Sequence, residues 1–193
     1  LNDSIYAALL KWGYYRTNPT ILPDGISILT ASRAHQSAME RNGEGIFTSL
    51  ICDGLEGGAS DVLGKVTAAS LYAYVDEALG AWDQRPIFKT NISRFSCLRN
   101  NDPIISLEIL RKLDTYFPTA SHKFNLDPSY EPEAEPANQV NEGVFNHLQK
   151  LRAARLLEPL GTDHMYFAAM QNKACQLTPL GRHYWHLTNE GRL

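Results

Sequence analysis

The segment ILTASRAHQSAMERNGEGIF, residues 28–47, decides how the first part of this chain is expected to fold. Its apolar start belongs to the run ISILT at residues 26–30, which is typical of a buried β-strand. Small and polar residues follow, among them Glu40, before Gly43 and Gly45 lead into a second apolar segment. A buried strand that ends in a polar, carboxylate-bearing loop raises the question of what that loop binds.

Hydrophobic periodicity around this segment predicts strands that alternate with helices. Helices are predicted over residues 4–15, 47–58, 66–79 and 105–117, and Thr67 is the expected N-cap of the third. Residues 84–99 are expected to form a strand or a hairpin between turn residues. Strands separated by helices favour a layered α/β domain.

The composition changes beyond residue 120. Prolines and acids dominate residues 125–139, which is typical of a linker. A helix and a strand-like LLEPL follow, then MYFAAMQ and ACQLT as an expected two-stranded wing, then a closing helix with Pro179 in its first turn. The predicted organisation is therefore a first domain over 1–120, a linker over 121–137 and a small module over 138–193.

Size and charge exclude several functional classes. With 193 residues and 44% hydrophobic content the chain can bury a core. A net charge of −3 gives no electrostatic argument for nucleic acid or an anionic membrane, and six basic residues against four acids from residue 137 onward leave only a weak basic footprint. No apolar run approaches the roughly 18 residues of a membrane-spanning helix.

The three cysteines, Cys52, Cys97 and Cys175, are widely spaced and lack a C-x-x-C pair. This pattern suits reduced thiols in a cytosolic protein, and we expect all three to be core residues rather than nucleophiles. The chain begins with Leu1, which is expected of a fragment, an engineered piece or a product of proteolytic processing. The sequence does not choose among these.

No complete active site is present in the sequence. His183 and His186 could share one face of a helix, but no further ligands accompany them, so no metal site and no cofactor are predicted. The segment DVLGKVT, residues 61–67, lacks the oxygen ligands of a calcium loop and is predicted to be a turn before a helix. The segment GLEGG is predicted to end a helix rather than to hold a phosphate.

The spacing of several short motifs between Asp24 and about Arg99 resembles the C-terminal half of caspase-like cysteine peptidases, especially bacterial members related to metacaspases. The shared order is a strand, a Gln-x-Ala-x-Glu-like loop, Gly-x-Phe-Thr opening a helix, Gly-x-Ala-x-Asp, Val-Thr opening the next helix, and Gln-x-Pro before the last strand. Residues 163–185 are similar to a winged-helix-like module that accompanies some of these peptidases.

The resemblance implies the C-terminal half of a caspase-like three-layer α/β/α domain, followed by a small winged-helix-like α+β module. In this family the catalytic His and Cys lie upstream, the Cys in a motif like D-x-C-H-S-G, and neither motif occurs here. The chain would therefore be the small-subunit side of the enzyme. The catalytic pair is expected in a separate large-subunit chain, with strands of both chains sharing one sheet.

The same resemblance gives the loop after the first strand a role. In caspases this loop supplies an Arg that pairs with a substrate Asp, and the matching position here is Glu40. A carboxylate there favours a substrate Arg or Lys. Ser32, Gln36 and Met39 are expected to complete the pocket. The alternative without the resemblance is that Glu40 pairs with Arg33 or Arg41, or caps the next helix.

The function expected from the resemblance is a cytoplasmic, caspase-like cysteine endopeptidase, a hydrolase that cleaves proteins after Arg or Lys. Its expected partners are the large-subunit chain and a protein substrate, with no membrane and no nucleic acid. The alternatives are a non-catalytic caspase-like scaffold that acts through its winged-helix module and, less favoured by the charge pattern, a DNA-binding regulator.

Overall fold

A computed structural model of the chain describes residues 22, 24–31, 40–41, 44–80, 85–135 and 138–193. The chain divides into two compact units, Leu1–Pro103 and Ile104–Leu193. Both contain short antiparallel sheets together with helices, which agrees with the predicted α/β class. The helix predicted over residues 4–15 lies outside the described residues.

The described residues of the first unit form three separate strand pairs. Its elements in chain order are β1 (Ile26–Thr30), β2 (Glu40–Arg41), β3 (Glu44–Gly45), α1 (Ile46–Asp53), β4 (Lys65–Thr67), α2 (Ala68–Leu79), β5 (Ile87–Asn91) and β6 (Cys97–Asn100). Strand β1 pairs antiparallel with β5, β2 with β3, and β4 with β6. Residues 84–99 thus hold two strands with different partners, so the strand prediction is confirmed and the hairpin alternative is wrong.

Helix α2 forms as its sequence predicts. The Thr67 hydroxyl accepts a hydrogen bond from the Ser70 amide (3.2 Å), and the Ser70 hydroxyl accepts one from the Thr67 amide (3.0 Å). This capping box satisfies amides that the helix leaves unpaired and contributes about 1 kcal/mol. Leu71, Val75 and Leu79 recur every fourth residue and all three are buried.

Helix α1 differs from α2 because none of its residues is fully buried, and Phe47, Leu50 and Ile51 on its apolar side are half-buried. It continues as a wide turn, Gly54–Gly58, in which Gly57 has a φ of 132°. A side chain at that φ would be strained, which explains why a glycine ends the helix there. The helix predicted over 47–58 is thus confirmed as an α-helix up to Asp53, and residues 54–58 form the wide turn that ends it.

Most of the buried apolar side chains among the described residues of the first unit lie between residues 59 and 79. Ala59, Val66 and Leu71 form one cluster, with Leu55 and Tyr74 packed against them, and Val62, Val75 and Leu79 are also buried. None of the residues in β1, β5 or β6 is fully buried, so the faces of those strands lack a complete cover within this chain.

A turn leads into β4, as predicted for residues 61–67. The Asp61 carboxylate accepts hydrogen bonds from the amides of Leu63 and Lys65, both at 2.9 Å. Gly64 has a φ of 80°, and a Cβ there would clash with the carbonyl oxygen of Asn101. One carboxylate oxygen of Asp61 is therefore occupied by the backbone, as in an Asx turn.

The second unit is built around one three-stranded sheet. Its elements are α3 (Leu107–Leu110), α4 (Leu113–Tyr116), β7 (Lys123–Asn125), a 3-10 turn (Pro128–Tyr130), α5 (Gln139–Ala153), β8 (Leu157–Pro159), α6 (Met165–Met170), β9 (Ala174–Leu177) and α7 (Pro179–Asn189). Strand β9 lies in the middle and pairs antiparallel with β7 on one side and β8 on the other.

The described residues of the second unit bury more large apolar side chains than those of the first. The largest side chains that are under 2% exposed in this unit are Phe117, Phe145, Leu110, Leu113, Leu148, Leu151, Leu156 and Leu177. The indole N–H of Trp185 donates to the Phe117 carbonyl at 2.6 Å, which ties α7 to the end of α4. Gly181 lies so close to the carbonyl of Leu156 that any Cβ would clash with it.

The division between the units differs from the predicted boundaries at 120 and 137. Residues 105–117 pack into the second unit, where they form the two one-turn helices α3 and α4 instead of one helix. The start of the predicted linker contains β7, because Phe124 packs against Phe117 and Tyr130 at ring distances of 6.0 Å and 5.7 Å. One aromatic residue thus anchors a segment that is otherwise polar.

The prediction that MYFAAMQ forms a strand of a wing is wrong. Residues Met165–Met170 form α6, since Met165, Ala168 and Ala169 are buried at the i, i+3, i+4 spacing of a helix. The other predictions for this unit are confirmed, namely the helix after residue 138, the strand at LLEPL, the strand at ACQLT and the closing helix, in which Pro179 is the first residue.

Candidate functional site

The predicted specificity loop leads into two short strands, β2 and β3, which pair antiparallel. Glu40 pairs with Gly45 and Arg41 with Glu44. Gly45 is also the N-cap of α1 and extends no capping side chain. The backbone of Glu40 is therefore held next to the first turn of α1.

Of the four predicted pocket residues, the structure describes the backbone of Glu40 alone. Ser32, Gln36 and Met39 lie outside the described residues, and the side chain of Glu40 does too. The predicted roles of all four therefore stay predictions. What the structure adds is that Glu40 belongs to a paired strand.

The wide turn that follows α1 packs tightly on α2. A Cβ at Gly54 would lie 2.7 Å from Leu71 Cδ2, and one at Gly58 would lie 2.8 Å from the Tyr74 ring. The glycines of GLEGG are thus required by helix packing. This agrees with the predicted helix end and explains the glycines without a bound phosphate.

The burial predicted for the three thiols is confirmed for Cys175 alone. Cys175 is buried in β9, and burial raises the pKa of its thiol to about 12, so it stays protonated at neutral pH. Cys52 and Cys97 are exposed, so the prediction that they are core residues is wrong. Cys97 lies on β6, all of whose residues are exposed, and its thiol donates to the Arg99 carbonyl at 3.1 Å. Alternation of residues along a strand does not show whether that strand is covered.

No cysteine of the described residues forms a hydrogen bond with a histidine, and these residues include no cluster of three or more potential metal ligands. His183 and His186 lie instead beside Tyr184 and Trp185, with ring distances of 5.6 Å and 5.1 Å. The described part of the chain thus contains neither an assembled thiol–imidazole pair nor a metal centre.

Sequence reasoning missed a tyrosine–histidine pair in the second unit. The Tyr116 hydroxyl lies 2.6 Å from His147 Nδ1. Burial and the nearby cations Lys112 and Lys150 lower the pKa of His147, against a smaller opposing effect of Glu108. Neutral His147 can therefore accept a hydrogen bond from the Tyr116 hydroxyl when its own proton is on Nε2. The two residues are 31 positions apart, so no local pattern could have joined them.

Sequence reasoning also missed an exposed apolar surface on α6. The side chains of Tyr166, Phe167 and Met170 are 46%, 44% and 38% exposed. Because this segment was predicted to be a strand, its outer side could not be identified. The sequence feature that could have indicated a helix with an apolar outer side is the i, i+1, i+4 spacing of three bulky apolar residues beside two alanines.

Comparison with known proteins assigns no family. Neither the scan of protein-family models nor the searches of curated proteins and solved structures found a significant match. Among the described residues, no helix is both long and apolar enough to cross a membrane.

Proposed function

We propose that the chain is the small-subunit part of a caspase-like cysteine endopeptidase that cleaves protein substrates after Arg or Lys. The observation that carries this proposal is that the sheet of β1 and β5 has two strands among the described residues. Strands β1 and β5 form a pair that no other described strand joins, although β1 contains Ile26, Ile28 and Leu29. Two strands alone are marginally stable in water, so further strands from another chain would complete this sheet.

Helix α1 supports the same proposal. An apolar helix side gains free energy when another surface covers it, and the apolar side of α1, formed by Phe47, Leu50 and Ile51, is only half-buried. The order of β1, α1, α2 and β5 between residues 26 and 91 is also the order that the resemblance implies. A large-subunit chain that adds strands beside β1 would complete the burial of the half-buried residues of β1 and α1.

The proposed chemistry divides between two chains. The large subunit would supply a Cys thiolate that attacks the scissile carbonyl, and a His that acts first as base and then as acid. Backbone amides would stabilise the oxyanion. The present chain would supply the carboxylate of Glu40, which receives the guanidinium or ammonium group of the substrate residue before the scissile bond. Ser32, Gln36 and Met39 would line the same pocket.

A charge pair between Glu40 and the substrate has a measurable consequence. A hydrogen bond to a charged group is worth about 1.5–3 kcal/mol, which corresponds to roughly a tenfold to hundredfold change in kcat/KM. Glu40→Ala is therefore expected to lower cleavage of Arg and Lys peptides by more than about tenfold. Glu44→Ala removes the acid of the paired strand β3 and is the matched control. Its kcat/KM for the same peptides is expected to stay within about twofold of the unchanged chain.

The experiment uses the complex that forms in the native host. The tagged chain is purified from that host, the polypeptides that accompany it are sequenced, and fluorogenic peptides ending in Arg, Lys or Asp are tested. The proposal predicts a companion with a catalytic Cys and His, and cleavage after Arg and Lys that depends on Glu40. A companion without these residues would instead favour a non-catalytic scaffold. Equal loss in both variants would remove Glu40 from the pocket.

A further inference from the structure

Helix α6 has one buried side and one uncovered apolar side. Met165, Ala168 and Ala169 face the core, while the α6 outer face, defined as Tyr166, Phe167 and Met170, is exposed to solvent. The ring of Phe167 lies 5.3 Å from that of Tyr166 and 6.0 Å from that of His164, both in edge-to-face geometry. These contacts hold the rings in place before any partner arrives.

A cleft adjoins this face. Its volume is about 330 Å³, and it is lined by Gln149, Arg152, His164, Met165 and Tyr166. The cleft and the α6 outer face share Tyr166, so they form one continuous surface. Its walls combine aromatic rings with hydrogen-bond donors.

Arg152 gives this surface its charge. Its Nη2 atom donates to the Asp163 carbonyl at 2.7 Å, which fixes the side chain. A guanidinium has five N–H donors, so four others can donate to a ligand. The ion pairs among the described residues are Lys112–Glu108 and Arg192–Glu190, so Arg152 has no carboxylate partner there. None of the five described residues that line the cleft is acidic. The cleft therefore complements a negative charge.

The residue types of the cleft and the α6 outer face favour a protein partner over a nucleic acid. Aromatic residues, Met and Arg are the types that concentrate in the centres of protein interfaces. A nucleic-acid surface needs several cations along a phosphate track, and this cleft contains one arginine. A carboxylate beside a bulky apolar group matches Arg152 and the rings at the same time.

We propose that the cleft and the α6 outer face dock a peptide segment of a partner protein, in which an Asp or Glu side chain pairs with Arg152 and an adjacent bulky apolar side chain packs on Tyr166 and Phe167. This interaction belongs to the second unit and does not depend on the peptidase function proposed for the first.

The test uses the full chain and a phage-displayed library of random heptapeptides. Enriched sequences are synthesised with a fluorescein label, and their dissociation constants are measured by anisotropy. The enriched peptides are expected to carry Asp or Glu next to an aromatic or large aliphatic residue. Arg152→Glu and Tyr166→Ala are each expected to weaken binding by more than about tenfold, and Arg152→Lys by less than Arg152→Glu.

Two controls separate this outcome from a folding defect. Leu180→Ala removes an apolar side chain of similar exposure (42%) from α7 and is expected to leave binding within about twofold. Replacing the acid of the peptide by Asn or Gln is expected to reproduce the loss seen with Arg152→Glu while the protein stays unchanged. The proposal is overturned if no peptide is enriched, if enriched peptides lack acids, if Arg152→Glu binds normally, or if a single-stranded DNA oligonucleotide binds more tightly than the peptides.

Discussion

The two units of this chain contain similar elements but bury them differently. In the second unit, helices α4, α5 and α7 and strand β9 all contribute buried side chains, and eight large ones are under 2% exposed. Among the described residues of the first unit, α2 buries three residues, the apolar side of α1 is half-buried, and β1, β5 and β6 lack a fully buried residue. The amount of secondary structure is therefore a poor guide to how deeply a segment is buried.

The largest expected difference between the units concerns a phenylalanine in each. Phe145 is 1% exposed, so Phe145→Ala is expected to lower the free energy of unfolding of the second unit by about 3–5 kcal/mol. Phe47 is only half-buried on α1, and Phe47→Ala should change the stability of the isolated chain by less than about 1.5 kcal/mol. Chemical denaturation followed by circular dichroism measures both changes. Equal losses would contradict the comparison.

Two glycines of the second unit are expected to respond in opposite ways to replacement by alanine. Gly181→Ala would force a Cβ against the Leu156 carbonyl and is expected to cost about 1–3 kcal/mol or more. Gly143 lies inside α5 with open space around it, so Gly143→Ala is expected to stabilise the chain by about 0.5–1 kcal/mol. Thermal unfolding distinguishes the two. A stable Gly181→Ala variant would show that α7 does not pack against Leu156 so closely.

The sequence predicted those elements whose determinants are local. Thr67, Ser70 and the repeat of Leu71, Val75 and Leu79 lie within thirteen consecutive residues, and they are enough to specify α2. Residues 165–170 contain no charged residue to mark a solvent side, so helix and strand could not be separated by pattern alone.

Features that depend on contacts between residues far apart in sequence could not be predicted from local patterns. Phe124 anchors β7 through Phe117 and Tyr130, although its neighbours in sequence resemble a linker. The exposure of Cys97 depends on whether a further layer covers β6, and no residue near Cys97 contains that information. Glu40 was selected only through the spacing of motifs around it, because a carboxylate alone does not identify a pocket.

The smallest expected effect is a dependence of stability on pH in the second unit. The pKa of His147 is lowered in the folded chain, so the unfolded chain binds more protons between the folded value and the unfolded value of about 6.5. The stabilisation is therefore present above about pH 6.5 and is lost as the pH falls through the folded pKa. Protonated Nδ1 of His147 no longer accepts a hydrogen bond from the Tyr116 hydroxyl and can only donate to its oxygen.

Denaturation at a series of pH values between about 7 and 5 checks this prediction. His147→Gln is expected to flatten the loss of stability, whereas Tyr116→Phe should lower stability near neutral pH by about 1 kcal/mol. An unchanged pH profile in His147→Gln would show that other groups cause the dependence.

The central claim is that the first unit is incomplete until another chain covers its sheet, and amide hydrogen exchange of the full chain tests it most directly. In the free chain, the amides of Ile26–Thr30 and Ile87–Asn91 are expected to exchange through openings that cost close to zero, while those of Ala174–Leu177 require the unfolding of the second unit. Addition of the polypeptide that co-purifies with the chain should slow exchange in β1. If the β1 amides of the free chain are strongly protected from exchange, and the co-purifying polypeptide does not slow that exchange further, the central claim is wrong.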